Sequence, residues 1–252
     1  MKKTIFTILL IGILLTGCGQ EKQSSTTINN NSSNSNHQHS SWNHSNIKTN
    51  ESDQSKQKQS NFDHYHYQVP KSYRSNHEYI KNGNLKHVGE FSFDQFGTKE
   101  KLDRISNINQ SINSGKIKYT IKSIHLFKNK AHNKEALDAV KQVFNLNQIS
   151  STYDTIQLKF NVTNRSDQTV NLNGIKLIQI NHDQTLSSNQ QLNDESAGQT
   201  LQPHQSKSMF AMGLINNYNF KHLKLLQIQF NGVYNQHGKL IDPPSRTINI
   251  NY

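Results

Sequence analysis

Thr155-Ile156-Gln157-Leu158-Lys159-Phe160-Asn161-Val162-Thr163-Asn164 is the stretch that decides the fold class. Ile156, Leu158, Phe160 and Val162 alternate strictly with Gln157, Lys159, Asn161 and Thr163. Successive side chains of a strand point to opposite faces. Such a period of two therefore reads as a strand with one buried and one polar face. The strand runs into Asn164-Arg165-Ser166-Asp167, a cluster of turn-forming residues.

The same period continues on both sides. Upstream, Ile117, Tyr119, Ile121, Ile124 and Leu126 form a strand whose phase slips near Ser123, the signature of a bulge. Between the two strands, Ala136, Leu137, Val140, Val143 and Phe144 follow a helical period, with Asn133 at the N-cap position. Downstream come Val170, Leu172, Ile175, Leu177 and Ile180, broken by Gly174. Residues 181–200 are polar and read as a long loop, with Asp194-Glu195 as a solvated pair. Leu201-Gln202-Pro203-His204-Gln205 reads as a turn before a strand at residues 208–212. Two more strands follow, one with Leu223, Leu225, Ile228 and Phe230, and one at residues 247–252 after the Asp242-Pro243-Pro244 turn.

Six to seven strands with turn signals between them predict a mainly β, antiparallel, immunoglobulin-like two-sheet sandwich over residues 115–252, carrying one or two short helices. Helices do not alternate with the strands, which excludes a parallel α/β sheet.

Residues 61–114 form a transitional segment. Glu90-Phe91-Ser92-Phe93-Asp94-Gln95-Phe96 alternates and suits a short strand that Gly97 ends. Leu102, Ile105, Ile108 and Ile112 then recur at intervals of 3, 3 and 4, which predicts a helix stopped by Ser114-Gly115.

The strand pair around Tyr153–Asp167 resembles DUF4352-type domains, in which an alternating strand runs into an N-x-S-D/K turn. These telokin-like, immunoglobulin-like domains belong to secreted proteins and lipoproteins of Gram-positive bacteria. Leu201-Gln202-Pro203 ahead of Phe210 is similar to that family's L-x-P-G turn and strand, with His204 in place of the Gly. The resemblance spans residues 115–252. It implies a sandwich fold and a surface location, and it brings no catalytic residues with it.

The N-terminus reads as an address. Lys2 and Lys3 precede an apolar stretch over residues 4–15. That stretch is too short for a bilayer of ~30 Å, which needs roughly 20 residues, and has the pattern of a signal peptide. Leu15-Thr16-Gly17-Cys18 follows and resembles the bacterial lipobox, with the single Cys of the chain at the acylated place. Residues 1–17 are thus expected to be a lipoprotein signal peptide and Cys18 the lipidation site. A diacylglyceryl group supplies two chains, enough for stable anchoring on the extracytoplasmic membrane face.

Residues 18–60 are expected to be a disordered polar tether. Of the 38 residues from 23 to 60, 24 are Ser, Asn or Gln. Such a composition cannot bury enough surface to offset an ordering cost of ~1–2 kcal/mol per residue. As a flexible coil the stretch would reach on the order of 35 Å. It also gathers His37, His39 and His44, with His64 and His66 just beyond. Imidazole is a ligand for zinc and related metals, so these five form a candidate metal set.

No nucleophile elbow, zinc-protease helix, calcium loop or phosphate loop is present, so the sequence predicts no catalytic residues and no resident cofactor. The formal charge is +11 for 252 residues, and from residue 111 onward 15 Lys and Arg face 8 Asp and Glu. That excess suits anionic lipid or an anionic wall polymer, and an envelope protein is the other candidate partner. Without an aromatic stacking motif it does not suit nucleic acid. No pattern specifies an oligomeric state. The expectation is a lipid-anchored, extracytoplasmic, non-catalytic binding module. A zinc-binding lipoprotein or an envelope enzyme of unknown reaction is the alternative.

Overall fold

The computed structural model describes residues 65–252, and these are mainly strand. In chain order they form helix α1 (Lys71–Arg74), strands β1 (Phe91–Phe93), β2 (Thr98–Ser114) and β3 (Ile117–Ala131), and helix α2 (Lys134–Val143). Strands β4 (Thr152–Asn164), β5 (Val170–Asn173), β6 (Ile175–Ile180), β7 (Gln184–Leu186), β8 (Leu192–Asp194), β9 (Ala197–Leu201) and β10 (Ser206–Ile215) follow. Helix α3 (Asn217–Lys221) precedes β11 (Leu225–Phe230), β12 (Val233–Asn235), β13 (Leu240–Asp242) and β14 (Ile248–Asn251). Among the described residues, no helix is long and apolar enough to cross a membrane.

The strands pair antiparallel in three sheets. One is six-stranded, in the order β1-β2-β3-β4-β10-β8, and two are four-stranded, β14-β11-β6-β7 and β13-β12-β5-β9. A single core joins them. Ile121, Ile124, Leu158 and Phe160 of the large sheet share one apolar cluster with Ile178, Ile228 and Phe230 of one small sheet and Leu172 and Val233 of the other. At its centre Tyr119 stacks on Phe230 at 3.8 Å between ring centroids, and Phe160 closes on the same ring at 5.3 Å. This is the expected sandwich, with its second layer divided in two.

Asn164 shows why the turn after β4 carries the sequence it does. Its side chain is fully buried. The amide donates to the carbonyls of Gln168 and Gln202, while its oxygen accepts from the Ser166 amide and hydroxyl. One side chain thereby ties the β4–β5 turn to the β9–β10 turn. In that second turn His204 takes φ +57°, the left-handed conformation that a Gly would adopt without strain, and its ring meets Asp167 at 3.0 Å.

Two expectations are corrected. Residues 98–114 are not a helix but β2, paired with β3 along its whole length. The register shifts between Leu102 and Arg104 and again between Asn107 and Gln110, and Asn109 sits at φ +53° in the second irregularity. Each extra residue moves the following side chains to the other face. Leu102 and Ile105 therefore share the outer cluster of Leu85 and Phe127, whereas Ile108 and Ile112 pack on the inner core. The 3, 3, 4 spacing came from two bulges in a strand. β2 is thus part of the large sheet although it lies within the segment read as transitional.

The second correction concerns residues 181–200, which hold β7, β8 and most of β9 rather than one long loop. Asp194 is not solvated. Its carboxylate accepts hydrogen bonds from the Ile175 amide and from the Ser196 amide and hydroxyl. Burial pushes its pKa above the usual carboxylate range in spite of those bonds.

Candidate functional site

The outer face of the six-stranded sheet carries the candidate site. Its residues alternate with the core residues of β3, β4 and β10. In one row Ile105, His125, Gln157 and Met212 stand side by side on β2, β3, β4 and β10. In the next, Ser123, Lys159 and Phe210 do so. The register slip between Ile121 and Ser123 falls at the edge of this patch.

Two elements cover this face. Helix α2 packs across it through Val140, with Phe144 just beyond, against Met212 and Leu214. Its start is fixed by Asn133, whose side chain accepts from the Ala136 amide at 2.7 Å and donates to the Tyr65 hydroxyl at 2.9 Å. The other cover is the segment ahead of β1. Leu85 packs on Leu102 and Phe127, and the turn before β1 is held by the Glu90 carboxylate, which accepts from the Lys86 and His87 amides. Those two hydrogen bonds draw the Glu90 pKa below the usual range.

The segment is also stitched down by aromatic contacts. Tyr73 meets Phe91 and Phe93 edge-on, and Lys99 stands over the Phe91 ring at 3.9 Å. At the β1–β2 turn, Asp94 accepts from the amides of Phe96, Gly97 and Thr98. Gly97 there has φ +102°, and a Cβ would come within 2.7 Å of Tyr67.

Between the sheet and the segment ahead of β1 lies a groove with about 500 Å³ of empty space, part of it open to solvent. Its polar side chains are His125, Gln157 and Lys159, with Glu100 and Asn84 also lining it. Leu85, Phe127, Phe210 and Met212 supply apolar wall. A second space of about 350 Å³ adjoins it beneath α2, sharing Glu100 and Met212.

Three polar groups in the groove lack protein partners. Lys159 is half-buried and makes no ion pair or hydrogen bond among the described residues. Burial pulls its pKa below the usual lysine range. Gln157, a residue 6% exposed, also makes no side-chain hydrogen bond among the described residues. His125, 7% exposed, meets the Ser123 hydroxyl through Nε2 at 3.1 Å, while its Nδ1 has no partner. Burial, and then the Lys159 charge, lower the His125 pKa to about 4, so the ring is neutral at neutral pH.

The Ser123–His125 contact has the outline of a nucleophile and base. It lacks the third group that would orient the imidazole, and an imidazole titrating near 4 is a weak general base at neutral pH.

Of the residues singled out in the sequence, Cys18, His37, His39, His44 and His64 lie outside the described residues. His66 is exposed ahead of α1. Among the described residues, no three His, Cys, Asp or Glu side chains gather in a group that could hold a metal ion. Many of the sandwich lysines are exposed, Lys116, Lys122 and Lys130 among them. Lys128 pairs with Asp103, and both Lys134 and Lys141 pair with Asp138. Exposed pairs of this kind contribute about 0–1 kcal/mol.

Sequence reasoning missed His125, Gln157 and Lys159 as site residues. They occupy the polar positions of alternating strands, which read as solvent-facing. The only signal was the phase slip at Ser123.

No protein-family model matches the chain, and no curated protein matches it. A functionally unknown protein from Listeria monocytogenes EGD-e is 10% identical over 61% of this chain and 86% of its own, with a TM-score of 0.39. A conserved hypothetical protein from Bacillus anthracis is 14% identical over 57% of this chain and 96% of its own, with a TM-score of 0.34.

Proposed function

We propose that the chain is a lipid-anchored extracytoplasmic lipoprotein that displays its sandwich as a non-catalytic binding module, with the ligand taken on the outer face of the six-stranded sheet. The observation that carries the anchor is Leu15-Thr16-Gly17-Cys18, where the one Cys of the chain follows a charged and then an apolar stretch. The groove between the sheet and the segment ahead of β1 supports binding, because it joins apolar walls to a few convergent polar groups, the usual make-up of a small-molecule site. The unoriented Ser123–His125 pair supports binding over hydrolysis.

The anchor is tested by metabolic labelling with palmitate in a Gram-positive host. The intact chain takes up label and sediments with membranes, and Cys18→Ala does neither. Labelling that persists in Cys18→Ala contradicts the reading.

A further inference from the structure

We propose that the groove over His125, Gln157 and Lys159 binds a small carboxylate that carries an apolar tail. This deepens the binding-module reading by naming the ligand class, and it is independent of how the chain is anchored.

The sign of the charge comes from Lys159. A half-buried ammonium without a counter-ion is costly, and an anion entering the groove would offset that cost. Gln157 lies two residues away on the same face of β4, about 7 Å along the strand. Its amide can donate to one carboxylate oxygen while Lys159 donates to the other. Charge-assisted bonds of this kind are roughly twice as strong as neutral ones.

His125 stands directly opposite Gln157 on β3 with an unpaired, buried nitrogen. A buried polar atom left without a partner costs about 1–3 kcal/mol, and such a group calls for an explanation at the place where it sits. A ligand that meets all three unpartnered groups, on two adjacent strands of one groove, gives that explanation.

The number of charges follows from the same lining. A dianion such as a phosphate monoester would meet one ammonium, with the Glu100 carboxylate in the same groove. A monoanion matches one lysine. The remaining surface calls for hydrocarbon. Met212 stands beside Gln157, and Phe210 stands beside Lys159. The space beneath α2 shares Met212 and adds Val140, Val143 and Phe144 as apolar wall, beside the polar Asp94, Asn129 and Thr155.

The test uses octanoate and octan-1-ol as probes on the full mature chain, followed by nuclear magnetic resonance of the His125 ring nitrogens and the Met212 methyl group. Octanoate is expected to shift both signals in a saturable way and to bind at least about tenfold more tightly than octanol, as one charge-assisted contact implies. Lys159→Met keeps the aliphatic stem and is expected to remove that preference while leaving the octanol response in place. Equal affinity for the two probes overturns the carboxylate but leaves a binding groove. Shifts confined to residues outside the groove, or no response to octanoate up to about 5 mM, overturn the site itself. The comparison of probes on the unaltered chain decides the question even where Lys159→Met does not fold.

Discussion

The two faces of the six-stranded sheet are built from the same strands and differ by one step along the chain. Toward the small sheets, Leu158, Phe160 and Ile124 are closed off in one apolar cluster, with Phe160 on the Phe230 ring. Toward the groove, the side chains of Gln157 and half-buried Lys159 make no hydrogen bond among the described residues, and the His125 Nδ1 is buried without a partner. A fold needs one of these faces to be apolar. It does not need the other to be polar and covered at once, because polar strand positions normally meet water. The difference separates the part of the sheet that holds the fold together from the part available for binding.

Breaking the inner face gives the largest effect. Phe230→Ala removes the ring on which Tyr119 and Phe160 pack, and it is expected to cost about 3–5 kcal/mol in urea unfolding. Loss below about 1 kcal/mol would mean that the core does not centre there.

The outer face responds to protons instead. The His125 pKa falls from 6.5 to about 4 on folding. The unfolded chain therefore takes up the proton first. The contribution of this group is full above pH 6.5, declines as pH falls toward 4, and changes no further below that. The whole shift is worth at most about 3 kcal/mol. The pH profile of His125→Gln, subtracted from that of the parent, isolates it. A flat difference between pH 4 and 6.5 would show that the ring is not held neutral.

Asn164→Ala tests a smaller unit, the pair of turns at the end of β4. Its five hydrogen bonds leave partners unpaired when removed, and a loss of about 2–3 kcal/mol is expected. The change should fall on stability and leave octanoate binding intact.

How much of this was legible in the sequence follows the same division. The β4 stretch from Ile156 to Val162 announced its strand and its buried side, because one strict period admits one assignment. Asn133 announced the start of α2 for the same reason, since an N-cap is a local device. β2 was misread because its apolar residues serve two clusters, and two bulges turned a period of two into the semblance of a helix. Asp194 was misread because its polar type suggested water, whereas its oxygens cap the start of β6 and the turn after β8. The groove was not legible at all. A period of two tells which side chains share a face, but not that Leu85 and α2 come from distant parts of the chain to cover it.

The most direct measurement is the unfolding free energy of Lys159→Met with and without octanoate, beside the parent. A ligand that binds only the folded state stabilises it by mass action. The account predicts that the ligand-free variant is as stable as the parent within about 0.5 kcal/mol, or more stable, since an unpaired half-buried charge has been removed. It also predicts that octanoate stabilises the parent more than octanol does, and the variant no more than octanol does. A variant that is less stable by more than about 1 kcal/mol yet keeps the full response to octanoate would contradict it, and would place Lys159 with the residues that hold the fold rather than with those that bind.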